Sequence, residues 1–167
     1  MVSFHGQASP CDVVVLGVTW FERLPAHDKM KSMNQQQMDT LVAAARRVRE
    51  NAHAPYSGYR VGAAILTADG EIFTGCNVEN ASYGLSVCAE RNAVAAAVAS
   101  GRSSFDGVAI VTSSSPAASP CGACRQVLAE FGDFPVILTD LDGDRRMTSV
   151  RELLPDAFLP ETLSRES

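Results

Sequence analysis

Two short cysteine-containing stretches constrain the fold of this chain most strongly: Cys88-Ala89-Glu90-Arg91 and Pro120-Cys121-Gly122-Ala123-Cys124. Three thiolates can hold a tetrahedral zinc ion and leave its fourth position open, as catalytic zinc sites do. Glu90 stands two residues after the first thiol and could carry protons, which a structural zinc site does not require. The ordinary alternative for a single glutamate is a solvated position on a helix. A fold compatible with the zinc interpretation must bring the two distant stretches together.

The composition and charge of the chain limit the kinds of molecule that it is expected to bind. The chain has 167 residues, of which 46% are hydrophobic and 20% charged, and this fits one ordinary globular domain. Its net charge is −5 and no basic run is present, whereas binding to a nucleic-acid backbone requires clustered lysine and arginine. We therefore expect a small-molecule substrate and no nucleic-acid polymer.

The cysteine count and one apolar run bear on the location of the protein. Five cysteines, an odd number, argue against a secreted disulfide framework. The apolar run at residues 13–21 is shorter than the ~20 residues of a membrane span. No basic residue precedes that run and no small-residue cleavage site follows it, so it is not typical of a signal peptide. We expect a cytoplasmic protein without a membrane partner.

The first 38 residues differ from the rest of the chain. They contain two prolines and end in a polar stretch with Met30, Met33 and Met38 close together. We interpret residues 1–38 as an N-terminal extension, flexible or the product of an over-extended start, with initiation at one of these methionines. The alternative is that residues 13–18 form a short strand against the domain. Residues 39–167 are the predicted zinc domain.

Apolar periodicity and turn residues predict five strands and four helices. The helices are predicted at residues 39–51, with Asp39 as the N-cap, and at residues 87–100, 121–131 and 150–154. The strands are predicted at residues 61–66, 71–78, 107–112, 135–139 and 145–150. Strands that alternate with helices indicate an α/β layered domain with a mixed sheet, whose first two strands form an antiparallel hairpin.

Both cysteine stretches fall at predicted helix starts. Unpaired N–H groups and the helix dipole there favour the thiolate, which is the form that binds metal. Three thiolates leave a zinc site with net negative charge, so we expect Arg91 to donate hydrogen bonds to one or two of the ligand sulfurs. The alternative for Arg91 is an exposed position on the helix. The other cysteines and the histidines lack ligand spacing and are interpreted as non-ligands: Cys11, Cys76, His5, His27 and His53.

Residues 39 to about 163 resemble the cytidine deaminase family, in its small homotetrameric class with three cysteine ligands. The match includes the two cysteine stretches and continues from the second into Arg125-Gln126. It also includes four other stretches: Tyr56-Ser57, Val61-Gly62-Ala63-Ala64, Gly75-Cys76-Asn77-Val78-Glu79-Asn80-Ala81 and Glu152-Leu153-Leu154-Pro155. The resemblance implies a three-layer αβα sandwich with a mixed five-stranded sheet. It also implies one Zn²⁺ per subunit, held by Cys88, Cys121 and Cys124.

The function implied by the resemblance is hydrolytic deamination of cytidine and deoxycytidine to uridine and deoxyuridine plus ammonia, in pyrimidine salvage. Zinc would activate the water that attacks C4 of the base, and Glu90 would shuttle the protons. Asn77 and Glu79 would hold the ribose 3′-hydroxyl. The N–H of Ala89, together with Glu90, would read the pyrimidine edge, and the carbonyl of Ser119 would lie near the departing ammonia.

Three aromatic positions complete the implied site. Tyr83 and Phe158 match positions that reach into a neighbouring subunit's site, so each active site would be complete only in the homotetramer. Tyr59 stands beside the base, where the family commonly has phenylalanine. Its hydroxyl needs a hydrogen-bond partner if it is buried, so substrate affinity or base tolerance could differ from the family's.

Parts of the same pattern are compatible with two other kinds of protein. A deaminase of an aminated pyrimidine antibiotic such as blasticidin S shares the zinc stretches and the Leu-Leu-Pro segment, but the Asn77-x-Glu79 pair suits a ribose. A non-enzyme would be a zinc-stabilised scaffold or a redox pair formed by Cys121 and Cys124. Glu90 argues against the scaffold, and the third thiol argues against the redox pair.

Overall fold

The structure is a computed structural model that describes residues 33–163, apart from the side chain of Glu161. Most of the predicted N-terminal extension lies outside these residues, including the apolar run, Cys11 and Met30. The interpretation of the extension as flexible or non-native therefore stays a prediction. No helix between residues 33 and 163 combines the length and the apolar character that crossing a membrane requires.

Strands and helices alternate along the described part of the chain. The helices are α1 (Gln35–Arg49), α2 (Ala89–Ala99), α3 (Gly122–Ala129) and α4 (Val150–Leu153). The strands are β1 (Gly62–Thr67), β2 (Ile72–Cys76), β3 (Phe105–Val111), β4 (Pro135–Thr139) and β5 (Arg145–Ser149). Short 3₁₀ turns cover Tyr83–Leu85 and Pro160–Thr162. The predicted elements are all present, with ends that differ by a few residues.

The five strands form one mixed sheet in the order β2-β1-β3-β4-β5. Strand β1 is antiparallel to both of its neighbours, with Ala64 opposite Thr74 of β2 and Ala109 of β3. Strands β3 and β4 are parallel and are joined through helix α3, whereas β5 returns antiparallel to β4. Because β3 and β4 run in the same direction, their carboxyl ends meet at one edge, near the start of α3.

The sheet is buried on both faces, as the alternation of side chains along β1 shows. Ala63 and Ile65 face one layer, and Ala64 and Leu66 face the other. The first layer packs on α2, α3 and α4, and the second packs on α1 through the following buried residues: Leu41, Val42, Ala44 and Ala45. This confirms the expected three-layer arrangement of helices around a five-stranded sheet.

Helix α1 begins four residues earlier than predicted, and the assignment of Asp39 as its N-cap is wrong. The N-cap is Asn34, whose Oδ1 accepts a hydrogen bond from the N–H of Gln37 at 2.9 Å while its own N–H donates to Gln37 Oε1 at 2.9 Å. This reciprocal pair is a capping box. The predicted domain start at residue 39 therefore falls inside a helix. Met33, just before the cap, is buried against Gly107 of β3.

Candidate active site

The two cysteine stretches begin two helices whose N-termini converge. Cys88 is the N-cap of α2 and Cys121 is the N-cap of α3, both with extended backbone, and Cys124 lies in the first turn of α3. The Sγ atoms of Cys88 and Cys121 are 3.7 Å apart, and all three Sγ atoms lie within 4.8 Å of one another. Among residues 33–163 this is the one group of three metal-ligating side chains.

The spacing of the three sulfurs suits zinc. A tetrahedral zinc ion with Zn–S distances of ~2.3 Å places its ligand sulfurs about 3.8 Å apart, close to the separation of Cys88 and Cys121. Each thiol comes from the first turn of a helix, where backbone N–H groups stabilise negative charge. The three cysteines can therefore hold one Zn²⁺, and the other ligand position stays open because no further side chain completes the group in the described residues.

Electrostatics in the cluster also point to a cation. The pKa of the Cys88 thiol is lowered to about 5, chiefly by a hydrogen bond from Cys124, with weaker help from Cys121 and Arg91. The pKa of Cys124 is raised, chiefly by that same bond to Cys88 and then by burial. Negative charge is thus concentrated on one sulfur. A divalent cation would offset the repulsion and allow all three thiols to ionise.

Glu90 lies beside the thiols and is buried, with 5% of its surface exposed. The solvated helix position, the ordinary alternative, does not hold. Burial raises the pKa of the Glu90 carboxyl, and the negative charge of Cys88 raises it further. A carboxyl group that is shielded from water next to a metal site can exchange protons with a ligand bound there.

Arg91 is held against the start of α2 rather than extended into solvent. Its Nη2 donates to the carbonyl of Ser86 at 2.9 Å, and its hydrogen bond and charge help to lower the pKa of Cys88. Its Nε is buried without a hydrogen-bond partner among the described residues. The guanidinium group is therefore placed to offset negative charge at the sulfurs.

Two adjoining cavities open next to the cysteines. The smaller, of about 240 Å³, contains the predicted base-binding positions and Glu90; its lining includes Tyr59, Ala89, Glu90, Ile110, Thr112, Ser119 and Cys121. The larger, of about 430 Å³, is lined by Tyr56, Val78, Tyr83, Ser86 and Val87 among others. Ser57, Asn77, Glu79 and Cys88 line both. A ligand with two parts could therefore span them, with Asn77 and Glu79 between the parts.

Glu79 is anchored by a hydrogen-bonded loop. Its carboxylate accepts hydrogen bonds from the N–H groups of Tyr56, at 2.9 Å, and Ser57, at 3.2 Å, and from Ser57 Oγ. The Ser57 hydroxyl contributes most to holding the pKa of Glu79 below its ordinary value. Glu79 is consequently an ionised acceptor, fixed in direction, at the junction of the cavities.

Asn77 supports the same loop with its side chain. Its Nδ2 donates to the carbonyl of Tyr59 at 2.9 Å, and its Oδ1 accepts from the N–H of Val61 at 2.8 Å. One amide proton and one lone pair remain for a ligand. Asn77 therefore shapes the wall of the cavity in addition to facing it, a structural role that the sequence did not indicate.

Ser119 lines the site, whereas Phe158 does not. Ser119 lines the smaller cavity, and its hydroxyl accepts a hydrogen bond from Arg146 of β5 at 3.1 Å. Phe158 lines neither cavity and is 58% exposed. Tyr83 lines the larger cavity of its own chain, is 75% exposed and makes an edge-on ring contact with Tyr56.

Two supporting residues had no signal in the sequence: Thr112 and Ser114, which are hydrogen-bonded to each other beside the smaller cavity. Serine and threonine are common in loops, and nothing in their spacing separates these from others. Ser57 belongs to the matched Tyr56-Ser57 stretch, but its hydrogen bond to Glu79 was not predicted. Cys76 and His53, interpreted as non-ligands, indeed lie outside the metal-ligating group.

The mixed αβα sandwich, the three converging thiols and the buried carboxylate together indicate the class of zinc-dependent hydrolytic enzymes. Residues 35–139 match the family model "Cytidine and deoxycytidylate deaminase zinc-binding region". The chain is 50% identical over 129 residues to a cytidine deaminase of Sporosarcina psychrophila, covering 76% of this chain and 95% of the relative. It is 30% identical over 140 residues to a blasticidin-S deaminase of Bacillus cereus, covering 75% of this chain and 96% of the relative.

Solved structures agree with this result. The crystal structure of a cytidine deaminase from Burkholderia pseudomallei shares 50% sequence identity with the chain and superposes with a TM-score of 0.71. That match covers 75% of this chain and 100% of the other. The chain belongs to the cytidine deaminase family of zinc enzymes.

Proposed function

We propose that this protein hydrolyses cytidine and deoxycytidine to uridine and deoxyuridine, with release of ammonia. The observation that carries the proposal is the position of Glu90, which is buried next to the cluster of three thiols and lines the same cavity as Cys88 and Cys121. The relatives named cytidine deaminase support the choice of substrate. The acidic or neutral lining of both cavities, without lysine or arginine, suits an uncharged nucleoside.

The chain's own residues divide the chemical work. Cys88, Cys121 and Cys124 would hold the Zn²⁺, which when bound would supply a Lewis acid that lowers the pKa of a water molecule. Glu90 takes a proton from the attacking water at its carboxylate and delivers it to N3 of the pyrimidine. The same carboxylate then takes the second proton of that water from the hydroxyl group newly bonded to C4 and passes it to the 4-amino group. The C4–N bond breaks, ammonia leaves and a carbonyl group remains at C4. Arg91 offsets the negative charge of the sulfurs, chiefly that of Cys88.

Substrate recognition is assigned to the two cavities. The base would occupy the smaller one, where the N–H of Ala89 and the carbonyl of Ser119 face its polar edge and Tyr59 faces its ring. The ribose would lie at the junction, where Glu79 and Asn77 offer a charged acceptor and an amide to the 3′-hydroxyl. A ribose hydroxyl donating to Glu79 would complete the carboxylate's hydrogen bonds.

The site is proposed to be completed by other subunits of a homotetramer. Cys121 is exposed although it belongs to the metal group, and so is Tyr83, which lines the larger cavity. Three further large apolar side chains are exposed elsewhere on the surface: Leu85, Phe158 and Leu163. Exposed apolar groups favour association, which at the site would exclude water. Light scattering of the zinc-loaded protein measures the assembly, and a monomer would overturn the proposal. A cytoplasmic location stays a prediction.

The proposed reaction is tested by the loss of ultraviolet absorbance of the 4-amino pyrimidine. Zinc-loaded protein should convert cytidine and deoxycytidine, and ammonia should form in equal amount. Complete inactivity toward both nucleosides in protein with full zinc content would refute the assignment.

Deamination of blasticidin S is the second candidate, favoured by the 30% identity to the enzyme from Bacillus cereus. Competition between cytidine and the antibiotic in one assay separates the candidates. We expect cytidine to be the strongly preferred substrate because the Asn77–Glu79 loop offers groups for a ribose 3′-hydroxyl. Preference for the antibiotic would reverse the assignment.

A further inference from the structure

The phenol of Tyr59 joins two segments that are distant in sequence. Its hydroxyl oxygen lies 2.8 Å from Ser114 Oγ, across 55 positions of the chain. Tyr59 belongs to the segment between α1 and β1, and Ser114 belongs to the loop that follows β3 and leads to Cys121. Tyr59 is 37% exposed, so this contact lies at the rim of the smaller cavity and not in the core.

The contact continues into the loop before the metal site. Ser114 Oγ lies 3.1 Å from Thr112 Oγ1, and Thr112 Oγ1 accepts a hydrogen bond from the N–H of Ala118 at 3.1 Å. Thr112 and Ala118 line the smaller cavity, as does the neighbouring Ser119. The three hydroxyl groups therefore fix the path of the loop at the point where it forms one wall of that cavity.

Burial assigns a direction to the hydrogen bond between Thr112 and Ser114. Thr112 is 2% exposed and its oxygen already accepts from Ala118, so its hydroxyl proton needs an acceptor, and Ser114 Oγ is at the right distance. In the bond between Ser114 and Tyr59 either oxygen can be the donor. In both directions the bond requires the phenol oxygen, which phenylalanine at this position lacks.

The backbone of Tyr59 is hydrogen-bonded to Ser57 and Asn77, which line the site together with Glu79. The N–H of Tyr59 donates to Ser57 Oγ at 2.9 Å, and its carbonyl accepts from Asn77 Nδ2 at 2.9 Å. Ser57 and Asn77 line both cavities. The backbone of Tyr59 is therefore held by residues that line the smaller cavity, and its hydroxyl is bonded to the loop that contributes Thr112 and Ala118 to the same cavity.

We propose that Tyr59 is a positioning residue whose hydroxyl sets the width of the base pocket through Ser114 and Thr112. The inference rests on the proposed nucleoside deamination and deepens it. The aromatic ring of Tyr59 would face the base in any case, whereas the hydroxyl acts on the loop that contains Ser114. A pocket of fixed width binds the unsubstituted pyrimidine well and disfavours a base that carries an additional methyl group.

The test compares variants that remove single hydroxyl groups: Tyr59→Phe, Ser114→Ala and the double variant. One neutral hydrogen bond corresponds to an about three- to tenfold effect on binding. Each single change should raise KM for cytidine by about that factor with kcat little altered, and should weaken the preference for cytidine over 5-methylcytidine. The double variant should match the single variants because the hydroxyl groups act as one unit. Ser114→Thr, which keeps the hydroxyl, should restore the original values.

Two further measurements make the outcome decisive. Ser113→Ala changes an exposed neighbour of Ser114 and should leave KM unchanged. Hydrogen exchange of the Ala118 amide, which needs no substrate, should become faster in Tyr59→Phe and in Ser114→Ala. If the native protein deaminates cytidine but these variants keep its KM, its base preference and its Ala118 exchange, the positioning role is wrong. If the native protein is inactive on cytidine, the proposed function is wrong. Ala118 exchange still tests the contact between Tyr59 and Ser114 in that case, and equal exchange rates in the native protein and the variants would show that the contact does not hold the loop.

Discussion

Gly75 of strand β2 lies directly against the backbone of Ala93 in helix α2. A Cβ atom on Gly75 would be 2.3 Å from Ala93 N and 2.5 Å from the carbonyl oxygen of Ala89. Asn92 reinforces this approach, since its Nδ2 donates to the carbonyl of Cys76 at 2.8 Å. Helix α2 can lie this close to the sheet only because Gly75 has no side chain. The positions of Cys88 and Glu90 at the start of α2 depend on that close approach.

Gly75→Ala should therefore reduce both stability and zinc retention. The clash is with backbone atoms, which cannot rotate away, so the helix must shift, at a cost of about 1–3 kcal/mol. Thermal unfolding and metal analysis of the purified protein measure the two effects. Gly84→Ala is the matched control because a Cβ there meets nothing within 4 Å. Equal stability and zinc content in both variants would contradict the importance of this contact.

Replacement of Glu90 by glutamine should abolish turnover while preserving zinc and fold. The amide has nearly the same shape but cannot accept the proton of the attacking water, and proton transfer contributes about 10²–10⁴-fold to such reactions. Turnover of cytidine and zinc content are measured on the same sample. Glu130→Gln, an exposed carboxylate at the end of α3, provides the control. Undiminished turnover in Glu90→Gln would remove Glu90 from the mechanism.

Loss of the Ser57 hydroxyl should change the pH dependence of KM. The folded pKa of Glu79 is held below its ordinary value of 4.5, first by Ser57 and then by the N–H of Tyr56, with a smaller effect of the charge on His53. A depressed pKa means that ionised Glu79 persists at acidic pH and is lost only as the pH falls through the folded value. In Ser57→Ala the rise in KM should therefore begin at a higher pH.

A pH series of cytidine kinetics in the range from about 3.5 to 7 covers the ordinary pKa of glutamate. Glu79→Gln is the reference variant, in which KM should be raised at all pH values without this titration. Coincident KM profiles for Ser57→Ala and the native protein would show that Glu79 does not hold the substrate in its ionised form.

Removal of zinc should inactivate the enzyme and make the Cys88 and Cys121 thiols reactive. A strong chelator should open these two cysteines to a thiol reagent, because they are partly or fully exposed, whereas Cys124 is fully buried with a raised pKa and should react slowly. Added Zn²⁺ should restore deamination and protect Cys88 and Cys121 again. Full activity in demonstrably zinc-free protein would contradict the assigned cofactor role.

The first turn of α1 should contribute measurably to stability. A chain that begins at Met38 lacks the Asn34 capping box and buried Met33, which together stabilise by about 2–4 kcal/mol. A chain that begins at Met33 keeps both. Denaturant unfolding of the two shortened proteins compares them directly, and equal stabilities would show that the cap and the Met33 contact contribute little.

Sequence pattern predicted the elements well because their physical causes are local. Alternating and helical periodicity located the strands and helices, and the cysteine spacing placed the thiols at two helix starts. The predicted N-cap was wrong although the signal is local: Gln37 follows Asn34 by three residues, which is the spacing of a capping box, while Asp39 also belongs to a residue type that caps helices well. The packing of Met33 against Gly107 accompanies the longer helix, and that contact joins distant parts of the chain.

By itself, the sequence determined the zinc chemistry, the carboxylate beside it and the order of strands and helices along the chain. These follow from residue types and spacings that act within a few positions. Only the tertiary structure decided that Glu90 is buried, that Asn77 braces the cavity wall, and that the Tyr59 hydroxyl reaches Ser114. Such contacts depend on how the packed sheet and helices bring distant segments within hydrogen-bond distance, and no short-range pattern encodes that distance.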